Sequence, residues 1–359
     1  MNVLESSLFD YLRPSVRAMA GYTPGEQPRL GDIIKLNTNE NPYPPSPKVF
    51  EAVRHALTGD RLRKYPDPVG TAFRRAAGRV LDVDPDGIVI GNGSDDILTI
   101  LTRAFVPAGG LVVSPTPSYI LYRTLAELQG ARFATVPFTT DWALPDPWPL
   151  PEANLTALAN PNSPSGTFVG LAEIERLVAQ VRGPVLVDEA YADFAEADAI
   201  PLARAGRVIV SRTFSKSYAL AGIRFGYAVT TPEIAEQLVK VKDSYNCDAL
   251  SLAAATAAIE DQDYMLEMRS RVLATRARLA TALAGLGFAV TPSQANFVWA
   301  RREDRPVKPI FEELKRRNIL VRFMAYEGYG DGLRVSVGTD AEVDRFLNET
   351  ASIVSSRGL

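Results

Sequence analysis

Residues 207–229 read RVIVSRTFSKSYALAGIRFGYAV, an apolar run (Val208–Val210) that breaks into Thr213, Ser215 and Lys216, with Arg224 eight residues beyond the lysine. The run shows no polar/apolar alternation, which marks a strand buried on both faces. Such a strand belongs to a parallel sheet covered by helices, and ligands bind beyond the carboxyl ends of its strands. A lysine and an arginine placed there stand beside the core yet face a crevice.

Working outward, five further runs are strand candidates, most of them likewise without strict alternation: Gly87–Gly91, Gly110–Ser114, Arg132–Pro137, Asn154–Ala159 and Pro184–Val187. Helical patterns separate them from about residue 50 to 245, which predicts an α/β fold whose large lobe holds a mostly parallel sheet flanked by helices. Residues 1–45 are irregular, end in NTNENPYPPSP and form an N-terminal arm that joins part of the small lobe. Residues 46–247 form the large lobe. Residues 248–359 begin with one long interlobe helix (Asp248 to about Gly287). They continue through FAVTPSQANFVWAR, a helix from about Pro309, ILVRF and GLRVSVG into a smaller α+β C-terminal lobe.

The composition narrows the chemistry. At 359 residues, with 46% hydrophobic and 23% charged residues, the chain is an ordinary globular protein long enough for two packed lobes. A net charge of −3 argues against nucleic acid or an acidic membrane as partner. The single cysteine, Cys247, allows no internal disulfide and fits a reducing compartment, so a cytoplasmic location is expected. The single histidine, His55, reads as a helix-surface residue, and a zinc site or a Ser-His-Asp triad would have to run through it. The N-terminus has no signal-peptide pattern, and no apolar stretch is long enough to span a bilayer.

Five strand ends deliver polar or aromatic groups to one crevice. GPVLV is followed by Asp188 and Tyr191, RVIVS by Thr213, Ser215 and Lys216, GIVI by the turn GNGSDD, GGLVV by Tyr119 and Tyr122, and LTALA by NPNSPSG. The GNGSDD turn opens a helix whose free N–H groups, with the Ser94 hydroxyl, make an anion site. Arg224 can bind a phosphate bidentately. A lysine in an apolar, cation-rich pocket has a lowered pKa and becomes a good amine nucleophile for a carbonyl. A carboxylate fixed deep in a crevice, as Asp188 would be, needs a cation or donor, and a protonated pyridine nitrogen serves. Singly, Ser94 reads as an N-cap, Asp188 as a strand-end cap and Tyr191 as a core tyrosine. Together, a phosphate, an aldehyde and a pyridinium on one small molecule describe pyridoxal 5′-phosphate (PLP).

The motifs LNTNENPYPPSP, KYPDPVG, GNGSDDIL, NPNSPSG, VDEAYADF, SRTFSKSYALAGIRFGY, ANF and LRVSVGT, in this order, span essentially the whole chain. In them the sequence resembles the fold-type I PLP enzymes, and within these the histidinol-phosphate aminotransferase branch. The resemblance implies that Lys216 is the covalent anchor of PLP and the proton shuttle, and that Asp188 keeps the ring nitrogen protonated. Tyr191 is then the partner of the ring's phenolic oxygen and Tyr119 the residue stacked on the ring. Ser94, Asp95, Thr213 and Arg224 would hold the phosphate, with Ser215 as a further ligand. Tyr65 would reach the cofactor of a neighbouring subunit, which implies a homodimer. Where the family has asparagine before the PTG of its turn, this chain has Ser163, so Ser163 or neighbouring Asn162 takes that place.

The substrate side rests on Tyr22, Asn39 in NTNENP, Arg322 and Arg334, with Arg334 implied to clamp the substrate α-carboxylate. The implied reaction is amino exchange between L-glutamate and imidazole-acetol phosphate, yielding 2-oxoglutarate and L-histidinol phosphate. An arginine pair suits substrates that carry a carboxylate in one case and a phosphate in the other. Tyr22 reads equally as a packing tyrosine in the arm, and Arg322 as a surface arginine ending a strand. The alternatives on the same scaffold are an aromatic or broad-specificity aminotransferase and a threonine-phosphate decarboxylase. A non-catalytic regulatory domain would normally follow a DNA-binding module, and no helix-turn-helix pattern precedes this domain.

Overall fold

The computed structural model describes residues 7–21, 25–27 and 32–356. A two-residue strand β1 (Ile34–Lys35) precedes the large lobe, whose strands are β2 (Ile88–Gly91), β3 (Leu111–Thr116), β4 (Arg132–Pro137), β5 (Leu155–Ala159), β6 (Val185–Asp188), β7 (Ile209–Thr213) and β8 (Gly226–Val229). They form one seven-stranded sheet in the order β2-β8-β7-β6-β5-β3-β4. Every neighbouring pair is parallel except those involving β8, which runs antiparallel to both β7 and β2. The six expected strands are all present. β8 is an addition: residues 214–225 carry the chain straight back from β7, and a short return connection of this kind pairs strands antiparallel.

The apolar runs lack alternation because both sheet faces are covered. Ile88, Ile90, Val185, Val187, Val208 and Val210 face one core with Phe73, Ile174, Leu177 and Ala254. Val89, Leu186, Ile209 and Ala228 face a second core with Leu98, Leu101, Tyr122 and Leu125. Successive side chains along each strand therefore alternate between two interiors.

The smaller lobe contains β9 (Ala289–Thr291), β10 (Phe297–Arg301), β11 (Ile319–Leu320), β12 (Arg322–Tyr326) and β13 (Gly330–Ser336). Four of these make an antiparallel sheet in the order β12-β13-β10-β9, and β1 pairs with β11 in parallel, so the arm contributes a strand to this lobe. Helices Lys308–Arg316 and Asp340–Ser355 close its core through Ile310, Leu314, Val343 and Phe346.

One expectation needs correcting. The single interlobe helix is two helices, Ala249–Glu260 and Gln262–Gly285, interrupted at Asp261. Asp261 accepts hydrogen bonds from Ser46 Oγ and from Lys48 Nζ (2.6 Å), so the break is pinned to the start of the helix Pro47–Ala56. The first helix packs into the large lobe, while Leu279 and Leu283 of the second enter the core of the small one. Among the described residues no helix is long and apolar enough to cross a membrane.

Candidate active site

The carboxyl ends of the strands open onto a cavity of about 520 Å³ walled by both lobes. Lys216 enters it from the loop after β7. Phe214 is fully buried against Phe73 (centroids 5.6 Å apart), Tyr218 (4.4 Å) and Phe225 (5.4 Å), which anchors that loop and leaves Ser215 and Lys216 to face the cavity. The Lys216 amine donates to the Thr38 carbonyl (3.1 Å) and lies 5.8 Å from the centre of the Tyr191 ring. Burial, then the positive charges of Arg334 and Arg224, push its pKa down to about 8, against the pull of Glu40 and Asp95. A substantial fraction of the amine is then neutral near pH 8.

An anion pocket sits beside the lysine. Gly93 caps the helix Ser94–Phe105 with φ +85°, and a Cβ there would fall 2.6 Å from Arg224 Nη2, so the turn and the guanidinium close on each other. Gly226 is needed for a related reason: its Cβ would lie 2.5 Å from the Ser94 nitrogen. Arg224 has left-handed backbone (φ 55°), a strained conformation for a side-chain-bearing residue and one that clusters at functional sites. Its Nη1 lies 3.4 Å from Ser215 Oγ and its Nη2 3.5 Å from Asp95 Oδ2, while Thr213 Oγ1 and Ser215 Oγ are 3.0 Å apart. Helix N–H groups, three hydroxyls and a guanidinium make a phosphate cradle.

Asp188 ends β6, four per cent exposed, and accepts hydrogen bonds from Tyr122 OH (2.8 Å) and Ser211 Oγ (2.8 Å). It forms no salt bridge among the described residues, and burial raises its pKa. A buried carboxylate facing a cavity without a counter-cation suits a protonated ring nitrogen. Tyr191 OH accepts from Asn39 Nδ2 (2.9 Å), and Asn39 is fixed by Ser336 Oγ on its main-chain N–H (2.8 Å). Tyr119 OH donates to Asp95 (3.2 Å), and its ring meets Tyr122 edge-on, 5.7 Å away. From the small lobe, Arg334 donates to Ser163 Oγ (3.0 Å) and to the Asn37 carbonyl (3.0 Å), and lies over the Phe297 ring. Arg322 stands opposite Arg334 in the β12–β13 register, and both line the cavity. This donor set fits a cofactor carrying a phosphate, a carbonyl carbon and a basic ring nitrogen.

Residues 31–349 match the family model for aminotransferase class I and II. The chain belongs to that family. Curated relatives of this aminotransferase include a Rhodopirellula baltica protein, 50% identical over 92% of this chain and 92% of its own, and a Geotalea daltonii protein, 45% identical over 94% and 97%. Both are named histidinol-phosphate aminotransferase. A solved structure of the same name from Sinorhizobium meliloti, in complex with pyridoxal-5′-phosphate, superposes with a TM-score of 0.85 at 28% identity and covers 97% of this chain and 98% of that one.

Most of the residues singled out from the sequence of this aminotransferase meet at the cavity: Ser94, Asp95, Tyr119, Ser163, Asp188, Tyr191, Thr213, Ser215, Lys216 and Arg224, with Asn39, Arg322 and Arg334 from the substrate side. Asn162 does not. It is fully buried in the turn after β5, its amide donating to the Pro117 carbonyl (3.0 Å) and Ser165 Oγ (2.8 Å), so that Ser163 alone of the two faces the cavity. Tyr65 also lies apart, 80% exposed and stacked on Tyr245 at 4.4 Å. Tyr22 falls outside the described residues.

Several contributors were not singled out as site residues. Tyr122 follows Tyr119 by three positions and lies in the first turn of the helix Leu121–Gln129. Ser211 precedes Thr213 by two in the strand, the same-face spacing of a β-strand, and stands opposite Asp188 in the β6–β7 register. Asn41, inside the NENP motif, donates to the main-chain carbonyls of Lys216 (3.0 Å) and Ser217 (3.1 Å) and fixes the base of the lysine. The Thr38 carbonyl has no signature in sequence.

Proposed function

We propose that this chain is a PLP-dependent transaminase that exchanges an amino group between L-histidinol phosphate and 2-oxoglutarate, giving imidazole-acetol phosphate and L-glutamate. The observation that carries the reading is the 50% identity, across 92% of both chains, to a protein named for that activity. The cavity supports it by placing two arginines, Arg322 and Arg334, beside the cofactor groups.

Ser94, Asp95, Thr213, Ser215 and Arg224 would hold the cofactor phosphate, Asp188 the ring nitrogen, and Tyr119 the ring face. Tyr191, oriented by Asn39, would donate to the ring's phenolic oxygen, with Ser163 beside it. When bound, PLP supplies an electron sink for negative charge developing at the substrate Cα. Lys216 anchors the cofactor and moves the proton at that carbon, a task suited to an amine whose pKa is about 8. Arg334 and Arg322 take the substrate's carboxylate or phosphate. The enzyme works as a homodimer, in which the exposed Tyr65 of the partner subunit completes the phosphate site. A cytoplasmic location accords with a chain whose one cysteine, Cys247, is buried and unpaired.

The test is a half-reaction. The PLP-loaded protein is mixed with L-histidinol phosphate, phenylalanine, tyrosine or threonine phosphate, and loss of the cofactor's visible band is followed. L-Histidinol phosphate should convert it fastest, with no CO₂ released. Faster conversion by an aromatic amino acid would replace this substrate assignment with a broad-specificity one, and CO₂ from threonine phosphate would make the protein a decarboxylase.

A further inference from the structure

Behind the cavity wall, on the side away from the proposed cofactor site, lies a buried ionic cluster. Strand alternation turns Ser211 and Thr213 toward the site and Arg212 away from it, and Asp188 toward the site and Glu189 away. Arg212, 5% exposed, pairs with Glu189 (2.8 Å), Asp193 (2.8 Å) and Asp198 (3.0 Å). The second oxygen of Asp193 accepts from the Ser217 hydroxyl, and its main-chain carbonyl accepts from Arg269. Burial pushes the Glu189 carboxyl up to about 7 against the pull of Arg212.

Several members neighbour a site residue. Glu189 follows Asp188, Asp193 lies two positions after Tyr191, and Ser217 follows Lys216. Two loops that leave different strands, one bearing Asp188 and Tyr191 and the other Lys216, are therefore tied to one guanidinium. A single lysine ammonium could not meet three carboxylates in this fork geometry. Burying the Arg212 guanidinium with the Glu189 carboxylate, the two more exposed aspartates completing the fork, is a costly way to gain stability, since well-packed apolar residues commonly do as well, and registry is the best-attested return for such a cluster.

We infer that Arg212, Asp193 and Ser217 are positioning residues that set the Lys216 amine relative to Tyr191 and Asp188, the Ser217–Asp193 hydrogen bond being the link that crosses between the loops. The inference rests on the transaminase reading above. None of the three touches the cavity contents directly, so they act on the lysine's placement rather than on ligand affinity. Small misplacements of a reacting group cost up to roughly a hundredfold in rate.

Replacing Arg212 outright would leave buried carboxylates without a cation and endanger folding, so the test uses Ser217→Ala, Asp193→Asn and the double variant. Three readouts are taken on the PLP-loaded protein: the midpoint pH of the cofactor's visible absorbance without substrate, kcat and KM with L-histidinol phosphate, and the thermal midpoint. Each single variant should lower kcat by roughly ten- to a hundredfold with KM within about twofold, and shift the spectroscopic midpoint. The double variant should be no worse than the more impaired single one, because both remove one contact. Wild-type kcat and an unmoved midpoint in the single variants, or additive losses in the double, would overturn the inference even where the thermal midpoint falls. A wild-type protein lacking the pH-sensitive band would overturn the transaminase reading and this inference with it.

Discussion

Replacing the anchor lysine should make the cofactor-free protein more stable. Burial and the positive charges of Arg334 and Arg224 depress the Lys216 amine from its ordinary 10.5 to about 8. That depression corresponds to about 3 kcal/mol by which the charged amine is disfavoured in the folded chain relative to the unfolded one. Lys216 faces a cavity that water can enter, so the figure is a ceiling. Lys216→Met keeps the length of the side chain and removes the charge, at the loss of the hydrogen bond to the Thr38 carbonyl, about 1 kcal/mol. A net gain of roughly 1–2 kcal/mol at pH 7 should therefore appear in urea unfolding of the cofactor-free proteins at one fixed concentration. The sign of the pH dependence follows from proton counting. Between pH 8 and 10.5 the unfolded wild type binds more protons at this lysine than the folded one, so wild-type stability rises with pH relative to the variant. The advantage of Lys216→Met is full below about pH 8 and vanishes above about 10.5. A variant less stable than wild type at pH 7, or an advantage that persists unchanged at pH 10.5, would refute the electrostatic reading of the site.

Gly93→Ala should weaken PLP binding by at least about tenfold in a fluorescence titration. The residue must keep φ +85°, and its new methyl would push Arg224 Nη2 from 2.6 Å, displacing the phosphate ligand at a strain cost of about 1–3 kcal/mol. Unchanged affinity would show that Arg224 does not form the phosphate site. Arg334→Lys should leave the cofactor spectrum intact while raising KM for both L-glutamate and L-histidinol phosphate by about ten- to a hundredfold in steady-state assays. The lysine cannot span Ser163 and the Asn37 carbonyl and still present a fork to an anion.

The large sheet was legible because burial on both faces writes itself into the sequence as unbroken apolar runs, from Ile88–Ile90 to Val208–Val210. The strand Gly226–Val229 was not, since four residues that follow a functional loop read as its continuation. Nor was the helix break at Asp261, because no glycine or proline marks it and its cause, Ser46 and Lys48, lies far away in the chain. The same division holds in the site. Lys216, Asp188 and Arg224 are visible as charged groups that core-like surroundings do not explain. Tyr122 and Ser211 are ordinary until strand register sets Ser211 opposite Asp188 and the helix aims Tyr122 at the same carboxylate. The turn at NPNSPSG shows the limit of resolution: one backbone step decides that Asn162 turns inward to Pro117 and Ser165 while Ser163 faces the cavity. Composition cannot supply that step.

The charges around the cavity argue for one ligand chemistry more narrowly than any residue does alone. Five basic side chains line it, from Arg123, Lys216, Arg224, Arg322 and Arg334, against three acidic ones, from Glu40, Asp95 and Asp188, leaving two positive charges in excess. An anion alone would relieve the cations but worsen the position of Asp188, whose buried carboxylate has hydroxyl donors and no salt-bridge partner among the described residues. A cation alone would satisfy Asp188 and burden Lys216 further. A ligand with an anionic end at Ser94 and Arg224 and a protonated ring nitrogen at Asp188 would meet both needs at once, with Lys216 as the amine available to its carbonyl carbon. Three arginines then remain in the lining, Arg123, Arg322 and Arg334, and the last two stand opposite each other in the β12–β13 register.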